Sequence, residues 1–546
     1  MALNIADLFE HAVDAVPERL ALVIGDDRLT YAELDAAANR VAHHLVAAGV
    51  QPGEHVGLMA RNTVDHVAAM LGTFKARMVP ININYRYVEG ELDYLFDNSR
   101  MVALLHEARY SPVLDKVVPN HELLRHVVTM PDGTDAAPTA YSSTDWSTAV
   151  GEQPTTRDFL EAVGQRSADD LYVVYTGGTT GYPKGVMWRQ EDVWRTLGGG
   201  IDFANRQRLA ELDQSRSGAA NPHPLTCLQL GPIMHANGQW GMLLRFLTCH
   251  TNVLLPKFDP IEIWNTIEKE KVQTISLIGD AMARPLIEEF ETGNHDGSSL
   301  VNVNSAAAIF SVEVKERWLN ALPNVIVMDI IGSSETGFTG NGRVEKSNLA
   351  DKGSLVNIGV DMAVLDEEMN LLDPATHVGE IGLMARSGNI PLGYYGDPEK
   401  SARTFITIDG TRYAVPGDWV QIEPDLKVTL LGRGSNCINT GGEKVYPEEV
   451  EVALKSHPAV FDALVMGLPH PVWGQEVAAL LQARPGRELN FDDVRIHLRT
   501  HISGYKVPRT MHVVDEIPRH VTGKADYKTA REITESLATT ESETVQ

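Results

Sequence analysis

The sequence contains little cysteine, and its cysteines are not arranged as a disulfide framework or a metal site. Three occur in 546 residues, at Cys227, Cys249 and Cys437, without any C-x-x-C spacing. Such a set excludes a disulfide-dense scaffold and disfavours a zinc site. It is typical of a protein that works in a reducing compartment.

Long apolar runs and an excess of positive charge are also missing. No apolar run approaches the roughly 18 residues of a membrane-spanning helix. The acidic start MALNIADLFEHAVDAVPERL lacks the basic region of a signal peptide. The 47 basic and 73 acidic residues give a formal net charge of -26, which argues against nucleic-acid binding and does not help at an anionic membrane. We therefore expect a cytoplasmic protein with no nucleic-acid partner and no stable membrane insertion.

The length and the hydrophobic pattern predict a layered α/β protein. A chain of 546 residues is too long for one core. Residues 32–48 and 64–74 have helical periodicity, and 55–60 is an apolar run typical of a buried strand. Such alternation predicts largely parallel sheets. The polar composition of residues 205–224 predicts a long irregular insertion.

The composition of the sequence changes near Leu431, where glycines and polar residues cluster in LGRGSNCINTGGEKVYP. Beyond it, PEEVEVALKSH has a helical pattern, and AVFDALVMGLP and VAALLQARPG have strand patterns. We predict a large N-terminal domain of packed α/β subdomains over 1–434 and a small, mobile α+β domain over 435–532. The polar residues 533–546 are predicted to form a disordered tail.

A glycine- and threonine-rich loop, YTGGTTGYPKG, follows an apolar strand-like run. It is not a Walker A loop, because Pro183 stands where the second glycine belongs and no serine or threonine follows Lys184. No G-x-G-x-x-G fingerprint follows a strand, and GSSETG lacks the last glycine of a G-x-S-x-G elbow. Glycine amides, threonine hydroxyls and one lysine nevertheless suit a phosphate group.

The loop resembles the phosphate-binding signature of the adenylate-forming enzymes, which include acyl-CoA synthetases, peptide-synthetase adenylation domains and luciferase-like proteins. Further segments resemble the other motifs of this superfamily in the same order: PIMHANG (232–238), IGSSETG (331–337), YAVPGD (413–418), LGRGSNCINTGGEKVYPEEVE (431–451) and PRHVTGK (518–524). The resemblance implies attack of a carboxylate on the α-phosphate of ATP, release of pyrophosphate, and displacement of AMP by a thiol.

The resemblance also implies roles for the residues that match the motifs. The residues implied to hold the nucleotide or CoA are Thr176, Gly177, Gly178, Thr179, Thr180 and Lys184 at the β- and γ-phosphates, Ala307, Ile331 and Gly332 around the adenine, Asp418 and Arg433 at the ribose, and Gly441, Gly442 and Lys444 at the pantetheine tunnel. Ile331 stands where many relatives have an aromatic residue, so apolar packing would replace stacking on the adenine.

Four residues are implied to act at the reacting groups. Lys524 would bridge the carboxylate and the α-phosphate during adenylation. Ser334 would contact the α-phosphate, and Glu335 would bind Mg²⁺ together with phosphate oxygens. His235 would lie at the acyl pocket, beside the path of the incoming thiol.

The small-domain entry GGEKVYPEEVE resembles the acyl-CoA synthetase version of the motif, so CoA is the favoured thiol. Because no carrier domain follows residue 532, the alternative is a free-standing acyl-AMP ligase that loads a separate carrier protein. A nucleotide-binding regulator without catalysis is disfavoured by the presence of Lys524 and Glu335. A luciferase-like oxygenase has no support beyond the fold.

The segments GVMWRQEDV, GDAMARPL, SSETGF and GNIPLGYYGDPEK resemble a mycobacterial-type branch of ligases for fatty acids and steroid side-chain acids. The acyl pocket would be lined by Trp188, 235–242, 279–282 and Phe338. These positions carry no cation, which suits a bulky apolar acid. The expected partners are the carboxylic acid, ATP with Mg²⁺, and CoA, and a homo-oligomer is left open.

Overall fold

The structure is a computed structural model, and it describes these residues: 4–134, 139–176, 182–196, 209–210, 212–306, 310, 312–344, 355–359, 361–366, 368–433, 438–445, 447–518 and 527–544. They fall into two compact units. The first unit is drawn from Met1–Tyr85, Phe96–Thr176 and Gly185–Gly432, and the second from Arg86–Leu95, Gly177–Lys184 and Arg433–Gln546. The predicted division at 434/435 stays a prediction.

Helices occur along the whole described chain. The α-helices are α1 (Ile5–Ala15), α2 (Tyr31–Ala47), α3 (Val64–Lys75), α4 (Glu89–Ser99), α5 (Ser111–Val117), α6 (Trp146–Val150), α7 (Leu160–Val163), α8 (Gln190–Thr196), α9 (Asp213–Ala220), α10 (Ala236–Leu247), α11 (Pro260–Glu270), α12 (Gly279–Thr292), α13 (Val312–Ala321), α14 (Pro398–Thr404), α15 (Pro447–Lys455), α16 (Phe491–Arg499) and α17 (Tyr527–Thr544). Short 3-10 helices cover Ala108–Tyr110, Val118–Asn120 and Gly504–Lys506.

Strands alternate with these helices over the first half of the chain and dominate the second. They are β1 (Leu20–Ile24), β2 (Asp27–Thr30), β3 (His55–Met59), β4 (Val79–Asn82), β5 (Ala103–Glu107), β6 (His126–Met130), β7 (Thr144–Asp145), β8 (Leu171–Thr176), β9 (Lys184–Arg189), β10 (Thr226–Gln229), β11 (Thr251–Leu254), β12 (Thr274–Leu277), β13 (Asn302–Ser305), β14 (Ile326–Ser333), β15 (Gly337–Val344), β16 (Leu355–Asn357), β17 (Met362–Leu365), β18 (Leu371–Leu372), β19 (Ile381–Arg386), β20 (Gly393–Tyr394), β21 (Phe405–Ile408), β22 (Thr411–Ala414), β23 (Asp418–Glu423), β24 (Lys427–Arg433), β25 (Ile438–Thr440), β26 (Glu443–Val445), β27 (Val460–His470), β28 (Gly474–Ala483) and β29 (Thr510–Val513).

The first unit is built mainly on two sheets with parallel cores. One has the strand order β15-β14-β13-β12-β10-β11-β1-β2, in which only the edge strands β15 and β2 pair antiparallel. The other has the order β4-β3-β5-β6-β7 and is parallel throughout. A third sheet (β20-β9-β8) and an antiparallel sheet (β16-β24-β23-β19-β17-β18, with β21 and β22) complete the unit. The predicted α/β class is confirmed.

Local sequence signals set the first helices. Thr30 caps α2 through a capping box with Glu33, and Thr63 caps α3 by accepting a hydrogen bond from the His66 backbone N–H. The two helices pack closely because Gly72 has no side chain; a Cβ there would come within 2.6 Å of the Ala38 carbonyl oxygen. The helical periods predicted for 32–48 and 64–74 are therefore real helices.

A buried charge network joins the helices of the first unit. The Lys75 ammonium is fully buried and pairs with Glu10 and with Asp35, the latter at 2.7 Å. The Arg166 guanidinium donates to both oxygens of Glu10, at 2.8 and 2.9 Å. Burial by itself raises the pKa of Glu10, but the bond from Arg166 and the charges of Lys75 and Arg166 outweigh it and hold this pKa at about 2.

The expectation of an irregular insertion over 205–224 is wrong for part of that stretch. Residues 213–220 form α9, although its sequence, DQSRSGAA, has weak helical propensity. Tertiary contacts override propensity here: the Trp194 indole N–H donates to Gln214 Oε1 at 2.8 Å, and Ser215 bonds to His11. Residues 201–208 and 211 lie outside the described part of the chain.

The second unit contains the antiparallel order β26-β25-β28-β27, with β29 parallel to β28. Its three predicted elements, one helix and two strands, are present as α15, β27 and β28. Residues 86–95 belong to it as well: the Lys506 ammonium donates to Glu91 Oε1 at 2.6 Å, with both side chains less than 5% exposed, and the Ser503 hydroxyl donates to Glu91 Oε2 at 2.7 Å.

The structure differs from the predicted disordered tail over 533–546, because α17 continues to Thr544. The polar composition hides an apolar face: Ala530 is buried among Leu464, Met466 and Leu480, and Ile533 packs against the same cluster. Residues 545 and 546 lie outside the described chain. In the portion that is described, no helix has the length and apolar character needed to cross a bilayer.

Candidate functional site

The predicted phosphate loop starts at the end of β8, an edge strand of the three-stranded sheet. β8 ends at Thr176, and the preceding residue is fixed by Asn82: its Oδ1 accepts from the Tyr175 N–H at 2.7 Å, and its Nδ2 donates to the Tyr175 carbonyl at 2.9 Å. Lys184 begins β9 and is buried. The predicted ligands Gly177, Gly178, Thr179 and Thr180 lie outside the described residues.

The segment that carries His235 is held by the same asparagine. Asn82 Nδ2 donates to the Met234 carbonyl at 2.7 Å, so one side chain fixes both the strand before the phosphate loop and the segment before His235. His235 is the N-cap residue of α10, and no side-chain capping bond forms. Gly238 is needed because a Cβ there would collide with the Pro232 carbonyl.

The predicted α-phosphate and Mg²⁺ residues lie on a tight turn between β14 and β15. Ser333 and Thr336 hydrogen-bond reciprocally across it, side chain to backbone, at 3.1 and 3.2 Å. The Trp188 indole N–H donates to the Ser334 carbonyl at 3.0 Å, and Arg386 donates to the Thr336 carbonyl at 2.8 Å. These four hydrogen bonds hold the backbone of the turn in place, and the metal-binding role of Glu335 stays a prediction.

The side chain of Glu335 is oriented by a tyrosine from a distant part of the sequence. The Tyr394 hydroxyl donates to Glu335 Oε1 at 3.0 Å, across 59 positions. Tyr394 is buried, and its backbone is fixed in β20, which pairs with β9 at Val186. The single carboxylate of Glu335 fits Mg²⁺, because proteins usually hold this ion through one or two carboxylates, with water and phosphate oxygens completing the shell.

The other predicted nucleotide residues of the first unit occupy strand ends and apolar surface. Asp418 begins β23 directly after Gly417, whose φ is +94°. Ile331 is buried in one apolar cluster with Val356 and Met362, and its packing on the adenine stays a prediction. Gly332 lies on the same strand, and a Cβ there would collide with the backbone opposite it. Ala307 lies outside the described residues.

The predicted pantetheine residues belong to the second unit. Gly441 and Gly442 form the turn between β25 and β26, with φ of +57° and +86°, which explains why glycine occupies both positions. Lys444 pairs with Asn439 in this hairpin. Arg433 is the last residue of β24. Lys524 lies outside the described residues.

Sequence reasoning missed the residues that position the site. Tyr394 lies in the segment GNIPLGYYGDPEK, which carried the resemblance to one branch of relatives, yet no role followed from the segment alone. Trp188 was assigned only to the acyl pocket; it is fully buried, and its ring packs edge-on against Trp240 at 6.1 Å. Arg386 and Asn82 lie outside all the motifs that resemble those of the superfamily, so the sequence gives no signal for either residue.

Comparison with known proteins places this geometry in a family. The profile described as AMP-binding enzyme matches residues 9–395, and that of the AMP-binding enzyme C-terminal domain matches 449–524. The chain belongs to the AMP-binding enzyme family. The resemblance that the motifs indicated and the prediction of an enzyme are thereby confirmed.

Several relatives in this family match nearly the whole chain. A medium/long-chain-fatty-acid–CoA/3-oxocholest-4-en-26-oate–CoA ligase of Mycobacterium tuberculosis (strain ATCC 25618 / H37Rv) is 49% identical over 538 residues, which cover 98% of this chain and 97% of the relative. A 3-oxocholest-4-en-26-oate–CoA ligase of Rhodococcus rhodochrous is 48% identical over 541 residues, which cover 98% and 96%.

Solved structures share the fold of this AMP-binding enzyme. The amide bond synthetase McbA of Marinactinospora thermotolerans superposes with a TM-score of 0.78 at 20% identity, covering 96% of this chain and 99% of that one. A Mycobacterium tuberculosis fatty acyl CoA synthetase gives 0.64 at 21% identity, covering 97% and 98%.

Proposed function

We propose that the chain joins a hydrophobic carboxylic acid, a medium- or long-chain fatty acid or a steroid side-chain acid, to CoA at the expense of ATP. It is an AMP-forming acyl-CoA ligase. The observation that carries the choice of acid is the identity of 47–49% over nearly the full chain with ligases whose names state these substrates. Identity of this extent covers both family regions, 9–395 and 449–524.

The reaction consists of two displacements. A carboxylate oxygen of the acid attacks the α-phosphorus of ATP, the bond to the pyrophosphate oxygen breaks, and acyl-AMP forms. The CoA thiol then loses its proton, its sulfur attacks the acyl carbon, and AMP leaves with the bonding electron pair. The first step brings anions together, so fixed cations and dipoles must stabilise it.

The residues of this chain would divide that work as follows. Thr176 and Lys184 would donate to the terminal phosphates, and Asp418 would accept hydrogen bonds from the ribose hydroxyls. Glu335, oriented by Tyr394, would hold Mg²⁺, which neutralises phosphate charge when bound. Lys524 would supply a positive charge between the two reacting anions.

The test is release of AMP and pyrophosphate from ATP and Mg²⁺, with and without CoA, over short, long and branched fatty acids, aromatic acids and steroid side-chain acids. The proposal expects turnover that needs both CoA and a hydrophobic acid, and an acyl-CoA product visible by mass spectrometry. Accumulation of acyl-AMP that CoA does not change would reject CoA as the acceptor and favour a carrier protein. Absence of acid-dependent AMP release with every acid would reject the ligase reaction.

A further inference from the structure

A buried polar pair lies directly behind the predicted acyl pocket. The positions predicted to line the pocket carry no cation, but the next turn of α10 carries Arg245, which is 8% exposed. Its Nη1 donates to Gln229 Oε1 at 3.2 Å, and its Nη2 donates to Ser276 Oγ at 2.6 Å. We call Gln229 and Arg245, with Ser276, the polar subsite.

The backbone explains why these three side chains meet. Gln229 ends β10, and Ser276 is its register partner on the neighbouring parallel strand β12. Their side chains therefore point to the same face of the sheet, and α10 brings Arg245 over that face. Both residues lie at the carboxyl ends of their strands, where ligands bind in open α/β sheets.

The polar subsite is not satisfied within the described chain. Gln229 is 1% exposed, and among the described residues its Nε2 has no hydrogen-bond partner. The orientation of the amide is fixed, because exchanging its O and N would turn an N–H toward the guanidinium donor. In the same described set Arg245 forms no ion pair, so a buried guanidinium has only two neutral acceptors. Such groups cost free energy unless an acceptor reaches them.

The unpartnered amide faces the segment that carries His235. A Cβ at Gly231 would lie 3.0 Å from Gln229 Nε2 and 3.6 Å from Ile278 Cδ1. A Cβ at Gly241 would lie 2.5 Å from Gln229 Oε1 and 2.7 Å from Arg245 Nη1. Glycine at 231 and 241 thus lets the His235 segment and α10 approach the pair closely, and a side chain at either position would press on the Gln229 amide.

We propose that the polar subsite recognises an oxygen on the carbon skeleton of the acyl substrate, such as a ring keto group or hydroxyl. Gln229 Nε2 donates to that oxygen, and Arg245 contributes its positive field while it holds the Gln229 amide in place. This inference rests on the proposed ligase function and deepens it: the enzyme selects oxygen-bearing acids over plain hydrocarbon acids of the same shape. Gln229 touches the substrate and sets specificity, and Arg245 is a positioning residue.

The test compares acids that differ only in the oxygen. 3-Oxocholest-4-en-26-oate, its 3-hydroxy form and its 3-deoxo analogue are compared by kcat/KM for CoA-dependent AMP release, together with a plain long-chain fatty acid. We expect the wild-type protein to prefer the 3-oxo acid over the 3-deoxo acid by about tenfold or more, since a site with buried donors discriminates against a substrate that leaves them unpaired.

The substitution Gln229→Glu separates recognition from folding. The carboxylate keeps the shape and still accepts from Arg245, but it removes the Nε2 donor and repels an incoming oxygen. The preference for the 3-oxo acid should vanish, because kcat/KM falls far more for the 3-oxo acid than for the 3-deoxo acid. Gln229→Met, which removes the donor without adding charge, gives the same loss of preference if Gln229→Glu does not fold.

Gln273→Glu is the matched control. Gln273 lies at the opposite end of the same strands, and its Oε1 accepts from the Thr226 N–H at 2.6 Å, a bond that a carboxylate keeps. This variant should retain the wild-type preference. Equal kcat/KM for the 3-oxo and 3-deoxo acids in the wild-type protein would overturn the inference. Equal effects of Gln229→Glu and Gln273→Glu on the preference for the 3-oxo acid would also overturn it. In both cases turnover of the plain fatty acid would still report the ligase reaction. Loss of CoA-dependent turnover with every acid would instead reject the proposed function.

Discussion

A methyl group at Gly337 should disturb the turn that carries Glu335. Gly337 has φ +66°, and a Cβ there would overlap Thr196 Cγ2 and lie 3.0 Å from Thr196 Cβ. The left-handed backbone costs an alanine about 1 kcal/mol, and forced overpacking of a buried contact costs about 1–3 kcal/mol more. We therefore expect Gly337→Ala to lower the free energy of unfolding of the first unit by about 2–4 kcal/mol.

The effect on catalysis should exceed the effect on stability. Thr196 is buried and its hydroxyl donates to the Asn389 carbonyl at 2.9 Å, so it cannot move freely, and the turn itself must shift. A displacement of about 1 Å at a reacting group costs on the order of 100-fold in rate. The assays are denaturant unfolding and acid-dependent exchange of pyrophosphate into ATP. Gly337→Ala should lower the exchange rate by about that factor while the protein remains folded.

Two further variants separate backbone strain from collision. Gly133 has φ +76°, and no atom of the described residues lies within 4 Å of an added Cβ, so Gly133→Ala should cost only the backbone part, about 1 kcal/mol. Thr196→Ala removes the colliding methyl, so it should restore part of the stability and exchange lost in Gly337→Ala. If Gly337→Ala costs no more than Gly133→Ala, or if the Thr196 and Gly337 effects simply add, the steric reasoning is refuted.

Three other outcomes are expected. Tyr394→Phe removes the hydroxyl that donates to Glu335 and should lower pyrophosphate exchange about tenfold, the effect of losing one hydrogen bond to a charged group. If Tyr394 positions the carboxylate, the variant should also need more Mg²⁺; an unchanged Mg²⁺ dependence would contradict this role. The pKa of Glu10 lies at about 2 in the folded protein against 4.5 ordinarily, so its ionised form stabilises the fold by about 3 kcal/mol above pH 5. This stabilisation is lost as the pH falls from 4.5 toward 2, and Glu10→Gln should flatten that part of the curve of unfolding free energy against pH. Lys524→Ala should nearly abolish adenylate formation but spare thiolysis of supplied acyl-AMP, and equal loss in both half-reactions would argue against its proposed role.

Elements with a strong local pattern could be predicted from the sequence, and those set by distant contacts could not. The helix over 64–75 follows from apolar period and the Thr63 cap. By contrast, α9 forms in a weak helical sequence because Trp194 and α1 pack on it. The helix over 527–544 escaped prediction because its few apolar residues contact a sheet more than 40 positions away.

The same distinction applies to the site. Motif order indicated Glu335, His235 and the strand before the phosphate loop, because short turns carry their own chemical signature. Tyr394 and the polar subsite depend on contacts across 59 and 16 positions, and neither spacing is marked by any repeat in the sequence. Motif order therefore predicts the reacting groups, whereas the contacts of Tyr394, Gln229 and Arg245 became apparent only in three dimensions.

The ion pair between Glu91 and Lys506 has a consequence for anyone who divides the gene. A polypeptide that starts at residue 433 contains Lys506 but lacks the Glu91 carboxylate, which accepts a hydrogen bond from the Lys506 ammonium at 2.6 Å. Removing one partner of a buried pair typically costs about 3–5 kcal/mol. Independent expression of the small domain should therefore give a weakly folded product, which co-expression of a peptide spanning 86–95 should rescue. Residues 86–95 thus form part of the fold that roughly the last fifth of the gene encodes.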